Sequence, residues 1–357
     1  MKFTVQKANL LPAMEIANGA IPSNSTQPIL YSFKIKVSGM AGEIMANDLV
    51  IGIRSKFACM AEEDGEICVN AKTLLMAVKK MGKDDITFET DGTQVIVTGG
   101  KARYEFSLED KDLFIEPREI EDSVQFKVDA ETFTGMINGV AFACGMNQNN
   151  KVLRGINLMV KDGSMTLSAL DLIQVAIRQT DIKADDANVI IPQKPMLELA
   201  KSATGGEIEI TVCKNHVVFS FTDTKMIIRL IDGNFFNIKQ IMTDDFKVSV
   251  NVERSELMAC LDRSLVVMKG DNTPMIFDIS DGLNVSLKSN TSTFDEDVDC
   301  SVDGDKLRIG INPQRLLEIL KHITGDEITL NFNGEKTPVT IKNNDLGYRY
   351  ILLPVNI

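Results

Sequence analysis

Few side chains in this sequence could act as a catalytic acid, base or metal ligand. The chain of 357 residues has only two histidines, His216 and His322, and neither has a partner at the spacing of a metal site. The loops that cradle phosphates and the signatures of zinc proteases and serine hydrolases are absent from the sequence. Gly99-Gly100-Lys101 lacks the spacing of a phosphate-binding loop. The sequence therefore predicts a protein that is not an enzyme and uses no cofactor or resident metal.

Four acidic clusters could suggest a cation site, but their positions favour a solvated surface. Asp84-Asp85, Asp185-Asp186, Asp244-Asp245 and Asp295-Glu296-Asp297 fall at predicted turns or on a predicted exposed edge. None has the ligand spacing of a helix–loop–helix calcium site.

The cysteines are typical of thiols in a protein core. There are six, far apart and without a Cys-x-x-Cys pair, which disfavours a zinc site or a disulfide framework and fits a reducing compartment. They are Cys59, Cys68, Cys144, Cys213, Cys260 and Cys300.

No apolar run reaches about 18 residues, and Lys7, Asn9 and Pro12 interrupt the hydrophobicity of the N-terminus, so neither a membrane span nor a signal peptide is expected. The prediction is a cytoplasmic protein.

The charge of the chain excludes one class of nucleic-acid-binding protein. Lys and Arg number 38 against 50 Asp and Glu, for a net charge of −12. A protein that binds nucleic acid over its whole surface needs a positive surface, so that class is excluded. A local basic patch remains possible.

The elements that would position any site repeat three times along the chain. Three segments align without gaps at offsets of 122 and 120 residues, and a period of this length indicates a repeated structural unit. The aligned positions are Leu75, Leu197 and Leu317; Lys79, Lys201 and Lys321; and Ile86, Ile208 and Ile328. The repeat predicts three domains, over residues 1–123, 124–246 and 247–357.

Each repeat has the same predicted order of elements: strand, helix, several alternating strands, a second helix and a final strand pair. The predicted helices cover residues 7–18, 71–83, 129–140, 193–203, 253–264 and 313–323, from the 3.6-residue period of apolar positions. Pro12 limits the first helix to a start about one turn before it. The fold class is α+β, with two helices packed on antiparallel sheets in each domain.

The second helix of each repeat is rich in cations although the whole chain is acidic. Eight cations stand there beside two carboxylates, Glu198 and Glu318. The cations are Lys72, Lys79, Lys80, Lys83, Lys194, Lys201, Arg315 and Lys321. Two interpretations stay open: the helices share a surface that contacts a polyanion, or the lysines only solubilise amphipathic helices.

Several segments, in order along the whole chain, resemble one family. They are Met1-Lys2-Phe3-Thr4-Val5, Thr26-Gln27-Pro28-Ile29-Leu30, Asn47-Asp48-Leu49, Ile231-Asp232-Gly233-Asn234-Phe235 and Tyr350-Ile-Leu-Leu-Pro-Val-Asn-Ile. Together they are similar to the bacterial DNA polymerase III beta subunit, the sliding clamps. The threefold repeat is a property of the same family.

The resemblance implies a head-to-tail homodimer whose six domains close into a ring, with helices lining the hole. Double-stranded DNA would pass through without sequence readout, and the clamp would tether the alpha subunit of DNA polymerase III and other proteins that carry a clamp-binding motif. A clamp loader is the further implied partner, and no membrane is involved. The implied DNA-facing residues, besides the helix cations, are Asn24 and the loop from Asn147 to Lys151, including Asn149 and Asn150.

The resemblance also implies two protein-binding surfaces. The groove for the partner peptide would consist of Leu153, Leu170, Leu172, Val175, Phe236, Ile241, Pro338, Ile351, Leu353, Pro354 and Val355. The dimer contacts would pair Phe106 and Leu108 with Leu265, Val266 and Val267 of the second copy. Alternation along a strand predicts that Ile351, Leu353 and Val355 point to one side.

The sequence departs from the family pattern in the groove. It has Asp171-Leu-Ile-Gln-Val where Asp-Gly-His-Arg-Leu is usual, and Phe235-Phe236-Asn237-Ile238 where Phe-Pro-x-Tyr is usual. The groove is thus expected to be more apolar and to lack an arginine wall. Asn24 and Asn150 stand where arginines are common at the DNA-facing positions, which predicts weak individual DNA contacts.

Two alternatives from other classes remain. One is a non-catalytic scaffold that does not encircle DNA, and the other is an enzyme with an unrecognised site. A scaffold would not be trapped on circular DNA, whereas an enzyme would need a pocket with titratable groups.

Overall fold

The computed structural model describes residues 1–82, 85–117, 124–145, 149–268, 270, 273–343 and 347–357, and for residues 239 and 240 the backbone alone. In these ranges, α-helices occur at all six predicted positions. No helix among them is long and apolar enough to cross a membrane.

The elements alternate as the repeat predicts. Up to residue 123 they are β1 (Lys2–Gln6), α1 (Lys7–Ala17), β2 (Ser32–Ser38), β3 (Ala41–Asn47), β4 (Ile51–Ala58), β5 (Met60–Glu63), β6 (Gly65–Asn70), α2 (Ala71–Lys80), β7 (Asp85–Asp91), β8 (Gln94–Gly99) and β9 (Ala102–Ser107). From there to residue 246 they are β10 (Val124–Asp129), α3 (Ala130–Ala141), β11 (Gly155–Lys161), β12 (Ser164–Leu170), β13 (Gln174–Asp181), β14 (Ala187–Pro192), α4 (Gln193–Ser202), β15 (Glu207–Val212), β16 (His216–Phe221) and β17 (Thr224–Arg229). The rest comprises β18 (Val248–Glu253), α5 (Arg254–Leu265), β19 (Met275–Ile279), β20 (Leu283–Lys288), β21 (Thr293–Val298), β22 (Cys300–Gly304), β23 (Leu307–Ile311), α6 (Pro313–Lys321), β24 (Glu327–Phe332), β25 (Val339–Asn343) and β26 (Tyr348–Leu352).

The chain forms two compact units. Unit 1 comprises Met1–Thr134 and Lys183–Asp232, and unit 2 comprises Gly135–Ile182 and Gly233–Ile357. The middle third of the chain is therefore shared between the units, and each unit is described by itself below.

Unit 1 contains two antiparallel sheets. One has the order β5-β1-β7-β8-β9, and the other the order β10-β15-β16-β17-β4-β3-β2-β6. The second sheet joins β17 of the middle third to β4 of the first, with Met226 opposite Ile53. Phe3 and Phe88 lie opposite each other on β1 and β7, with their rings stacked at 4.6 Å. Both are fully buried and belong to the core of this unit.

Unit 2 is built in the same manner. Its strands β11-β12-β13-β26-β25-β24-β18-β22 are hydrogen-bonded in that order, and a four-stranded sheet has the order β21-β20-β19-β23. Tyr350, Phe277 and Phe332 are among its largest fully buried side chains.

The helix ends follow from local chemistry. The side chain of Asn312 caps α6 by accepting the backbone N–H of Arg315 at 3.0 Å, and Pro313 follows at the first helical position, where its missing N–H has no cost. Asn70 caps α2 in the same way. Helix α1 begins at Lys7 and continues through Pro12, a start five residues before the proline.

One turn occurs in both units with the same hydrogen bonds. In the turn between β3 and β4, the Asp48 carboxylate accepts two backbone N–H groups of its own turn, at 2.8 and 2.9 Å. Between β12 and β13, Asp171 does the same at 2.7 and 2.8 Å. Such aspartate turns stabilise tight chain reversals locally. The similarity of the first two repeats therefore includes the hydrogen bonds of this turn.

Candidate functional site

A cluster of apolar side chains in unit 2 contains part of the predicted peptide groove. Val175 lies opposite Leu170 on β12 and opposite Ile351 on β26. These three side chains pack with Leu153 and Ile177 in one buried cluster. The cluster is partly covered by Phe235, Ile238 and Met242.

The remaining predicted groove residues are either exposed or half-buried. Leu172 is 64% exposed and Leu353 is 43% exposed, and Phe236 and Ile241 are exposed as well. Pro338, Pro354 and Val355 are half-buried. We call the buried cluster, together with the exposed Leu172, Phe236, Ile241 and Leu353, the apolar site. Four exposed large apolar side chains next to a buried cluster are typical of a binding surface.

Ile177 belongs to the apolar site but was not predicted. It follows Val175 by two residues on β13 and so points to the same face of the sheet. The alternation of apolar residues along β13 is the sequence signal that would have identified it.

The C-terminal strand is shorter than predicted. Strand β26 ends at Leu352, because Pro354 has no N–H with which to continue the ladder. The Leu353 N–H still donates to the Ile173 carbonyl at 2.9 Å, next to Leu172. The prediction that alternation on one strand continues through Val355 is wrong.

Val355 instead pairs with strand β23. Its N–H donates to the Gly310 carbonyl at 2.8 Å. A Cβ atom at position 310 would lie 2.4 Å from the Val355 carbonyl oxygen, so only glycine permits this approach.

An arginine lies beside the apolar site, although the sequence predicts a groove without one. The Arg315 guanidinium on α6 is 3.1 Å from the Asp171 carboxylate, the residue before Leu172. Arg315 is also one of the predicted DNA-facing cations. In the structure its side chain is directed to an anion of unit 2.

Two cations hold the segment Thr243–Asp244, which follows Met242 at the Ile177 end of the cluster. Asp244 pairs with Lys342 at 3.0 Å and with Arg349 at 2.6 Å, and Arg349 also donates to the Thr243 carbonyl at 3.2 Å. Hydrogen bonds from Lys342 and Arg349 lower the pKa of the Asp244 carboxyl. Arg349 lies opposite Ile177 on the face of the sheet that carries Ile351. No sequence signal links residues about 100 positions apart.

Within the part of the chain that the structure describes, the other predicted DNA-facing cations are exposed, and two of them form ion pairs there. Lys79 contacts Glu15 at 2.8 Å, and Lys321 contacts Glu318 at 3.2 Å. The exposed lysines are Lys72, Lys79, Lys80, Lys194 and Lys201 in unit 1 and Lys151 and Lys321 in unit 2. Lys83 lies outside the described residues, as does Asn147 of the predicted loop.

The predicted DNA-facing asparagines are also exposed. They are Asn24, Asn149 and Asn150. Asn150 accepts the Val152 N–H at 3.1 Å, so it caps the following turn.

The residues predicted to contact a second copy lie on accessible surface. Phe106 is half-buried on β9, the outer strand of its sheet, and Leu108 follows it. At the end of α5, Val266 is 88% exposed, and its neighbours Leu265 and Val267 are half-buried.

The side chains that could act in catalysis lie in surroundings that suit a structural role. Burial, with a smaller effect of Arg229, lowers the pKa of His216. The His322 ring stacks on Phe142 at 4.3 Å. Burial raises the pKa of the Cys144 thiol to about 12, which keeps it protonated and unreactive. Among the described residues, no three His, Cys, Asp or Glu side chains are grouped so that they could hold a metal ion.

Comparison with known proteins identifies the family. Models of the N-terminal, central and C-terminal domains of the DNA polymerase III beta subunit match residues 1–113, 127–237 and 239–356. The chain belongs to the DNA polymerase III beta subunit family.

Relatives of this beta-subunit chain match over almost its full length. The solved structure of a putative DNA polymerase III beta subunit from Eubacterium rectale ATCC 33656 is 30% identical in sequence. The match covers 100% of this chain and 100% of that chain, with a TM-score of 0.95. The DNA polymerase sliding clamp from Bacillus subtilis is 25% identical over 100% of this chain and 99% of its own, also with a TM-score of 0.95. The curated beta sliding clamp of Bacillus subtilis (strain 168) is 26% identical over 99% of each chain.

The family assignment confirms the predicted fold of three beta-clamp domains with mixed helices and sheets. The exact boundaries at residues 123 and 246 stay a prediction, as do the roles of the individual site residues.

Proposed function

We propose that the chain is a DNA sliding clamp: a dimer that encircles duplex DNA and holds a DNA polymerase through the apolar site. The observation that carries this proposal is the match of all three domain models of the DNA polymerase III beta subunit in order along the chain. We further propose that the protein acts in the cytoplasm and performs no catalytic step itself.

The proposed DNA contacts are electrostatic and independent of sequence. Exposed lysines on α2 and α4, such as Lys80 and Lys201, would attract phosphates at a distance. Such attraction positions a protein on DNA without reading bases, which is what sliding requires.

The proposed dimer joins two outer strands. Strand β9 is the outer strand of one sheet and β21 is the outer strand of another, and outer strands offer unpaired backbone groups to a second chain. On β9 Arg103 pairs with Glu105 at 2.6 Å and Lys101 precedes the strand, which leaves one positive charge in excess, whereas β21 carries Asp295, Glu296 and Asp297. Opposite charges would favour pairing of β9 of one copy with β21 of the other.

The apolar contacts would be the predicted ones. Phe106 and Leu108 of one copy would cover Leu265, Val266 and Val267 of the other. Val266 is 88% exposed, so its burial in such a contact would remove apolar surface from water.

The proposed partner of the apolar site is a short extended peptide from the alpha subunit of DNA polymerase III. Its apolar side chains would cover Leu172, Phe236 and Leu353 and would concentrate the binding energy in a few anchors. Other proteins with a clamp-binding motif, and the clamp loader, would use the same site.

The proposal is tested by retention on DNA of different topology. The protein is loaded by a clamp loader onto nicked circular DNA, and the same preparation is linearised by one restriction cut before gel filtration. We expect retention on the circle, loss from the linear molecule, and a free protein with twice the mass of one chain. Equal retention on both forms, or a monomer that is still retained, would overturn the proposed encirclement.

A further inference from the structure

Both oxygens of the Asp171 carboxylate accept hydrogen bonds within unit 2. One oxygen accepts the backbone N–H groups of Ile173 and Gln174 at 2.7 and 2.8 Å. The other accepts an N–H of the Arg315 guanidinium at 3.1 Å. The Asp171 side chain is only 9% exposed, so it forms a fixed anchor for the arginine.

Arg315 keeps donors that this pair does not use. A guanidinium has five N–H donors in a rigid plane. Among the described residues, the ion pair with Asp171 is the one polar contact of the Arg315 guanidinium. The Arg315 side chain is 39% exposed, and its backbone N–H is held by the Asn312 cap. The guanidinium is therefore fixed in position and still accessible to a ligand.

The position of this guanidinium is the edge of the apolar site. Asp171 is followed by Leu172, the most exposed member of the site, and the next residue, Ile173, binds the Leu353 backbone at 2.9 Å. A peptide that covers Leu172 and Leu353 would pass within reach of Arg315.

The charges beside the cluster favour an acidic ligand at one end only. At the end near Asp244, Lys342 and Arg349 share that carboxylate and the exposed Asp245 follows it, so two cations stand beside two carboxylates. At the end near Leu172, the carboxylate of the Arg315–Asp171 pair is nearly buried while the guanidinium is partly exposed. An exposed cation beside an apolar surface favours a partner with negative charge.

We propose that Arg315 is a specificity residue of the apolar site, where its free N–H groups bind a carboxylate of the docked peptide. The inference rests on the proposed peptide docking and assigns the ligand class: an apolar peptide with a carboxylate, from an acidic side chain or from its C-terminus. It also transfers Arg315 from the predicted DNA-facing set to the peptide site.

The test uses three synthetic peptides from the apolar clamp-binding segment of the polymerase III alpha subunit. The first carries one Asp and an amidated C-terminus, the second has Asn in place of the Asp, and the third has the Asn and a free C-terminal carboxylate. Calorimetry with the parent chain is expected to give about fivefold tighter binding of the Asp or the free-carboxylate peptide than of the neutral one. The peptide that gains identifies the source of the carboxylate.

The Arg315→Gln variant is expected to bind all three peptides equally. The matched control is Arg308→Gln, which removes an arginine that pairs with Asp278 on the neighbouring strand and is expected to keep the fivefold preference. Thermal melting of both variants monitors folding, and Arg315→Lys, which keeps the charge, is expected to retain part of the preference.

Three results would overturn the inference. These are an unchanged preference in Arg315→Gln, no preference in the parent, or a loss of DNA retention in Arg315→Gln while peptide binding stays as in the parent. In each case the neutral peptide still binds the parent, so the proposed docking stands. If no peptide binds the parent, the docking proposal fails together with the inference.

Discussion

Leu353→Glu tests the apolar site most directly, because Leu353 is a partly exposed apolar anchor whose backbone is fixed. The side chain is 43% exposed in the free chain, and docking would cover that remainder. Full burial of a leucine contributes about 1.5–3 kcal/mol, so the exposed part corresponds to about 1 kcal/mol. A glutamate would lose this contribution and would also have its carboxylate dehydrated against apolar surface. We expect a total loss of at least about 2 kcal/mol, or more than tenfold in Kd.

The assay is calorimetric titration with a polymerase tail peptide, together with the mass of the protein in solution. The Leu353 N–H bond to Ile173 involves only backbone, so the fold and the dimer are expected to persist. Leu49→Glu is the matched control, because Leu49 is 44% exposed and lies in unit 1. Equal affinity of the Leu353→Glu variant and the parent would refute the docking site, and so would an equal loss in Leu49→Glu.

Three other expectations concern DNA, the dimer and pH. Replacement of the exposed Lys80 and Lys201 by glutamine should weaken DNA binding equally for all sequences and make its salt dependence shallower, as measured by titration at several salt concentrations; an unchanged salt slope would contradict a DNA-facing role. Charged residues in place of Val266 and Val267 should release folded monomers, detected by light scattering, and persistent dimers would contradict the interface. The pKa of Asp244 is lowered in the folded chain, so its contribution to stability is present above the unfolded value of about 3.9 and is lost as pH falls through the folded pKa. Urea unfolding below pH 4 should therefore show a smaller acid destabilisation in Asp244→Asn, and an identical pH dependence would show that the ion pairs of this exposed carboxyl add nothing measurable.

The helices could be predicted from the sequence because their signals are local. Helix α6 begins where a capping asparagine meets Pro313 and ends within two residues of the predicted end. Its apolar positions recur with helical period and are buried. Hairpins such as β7–β8, with Gly92 at φ +58° in the turn, were equally predictable, since turn chemistry is local too.

The chemistry of the site could be predicted only in part, because its decisive contacts join distant positions. Arg315 and Asp171 are 144 residues apart, and helical periodicity places a cation on a surface without naming its partner. The end of β26 also depends on a distant residue, because Val355 pairs with Gly310 of β23 and does not continue β26. The family pattern predicts Leu172 and Leu353 as groove residues, but only the packed structure shows that both are exposed whereas Ile351 is buried.

The repeated turn shows how the first two repeats can share backbone hydrogen bonds and still differ in packing. Four residues after its aspartate, the turn of unit 2 has Val175, whose side chain lies in the floor of the apolar site. The corresponding residue of unit 1 is Gly52, where a Cβ atom would lie 2.6 Å from the Pro117 ring. Pro117 therefore occupies the space that a side chain fills in unit 2, and the chain covers its own surface there. Because the backbone hydrogen bonds of the two turns are the same, the residue four positions after the aspartate decides what packs there: Pro117 against Gly52 in unit 1, and the apolar cluster around Val175 in unit 2.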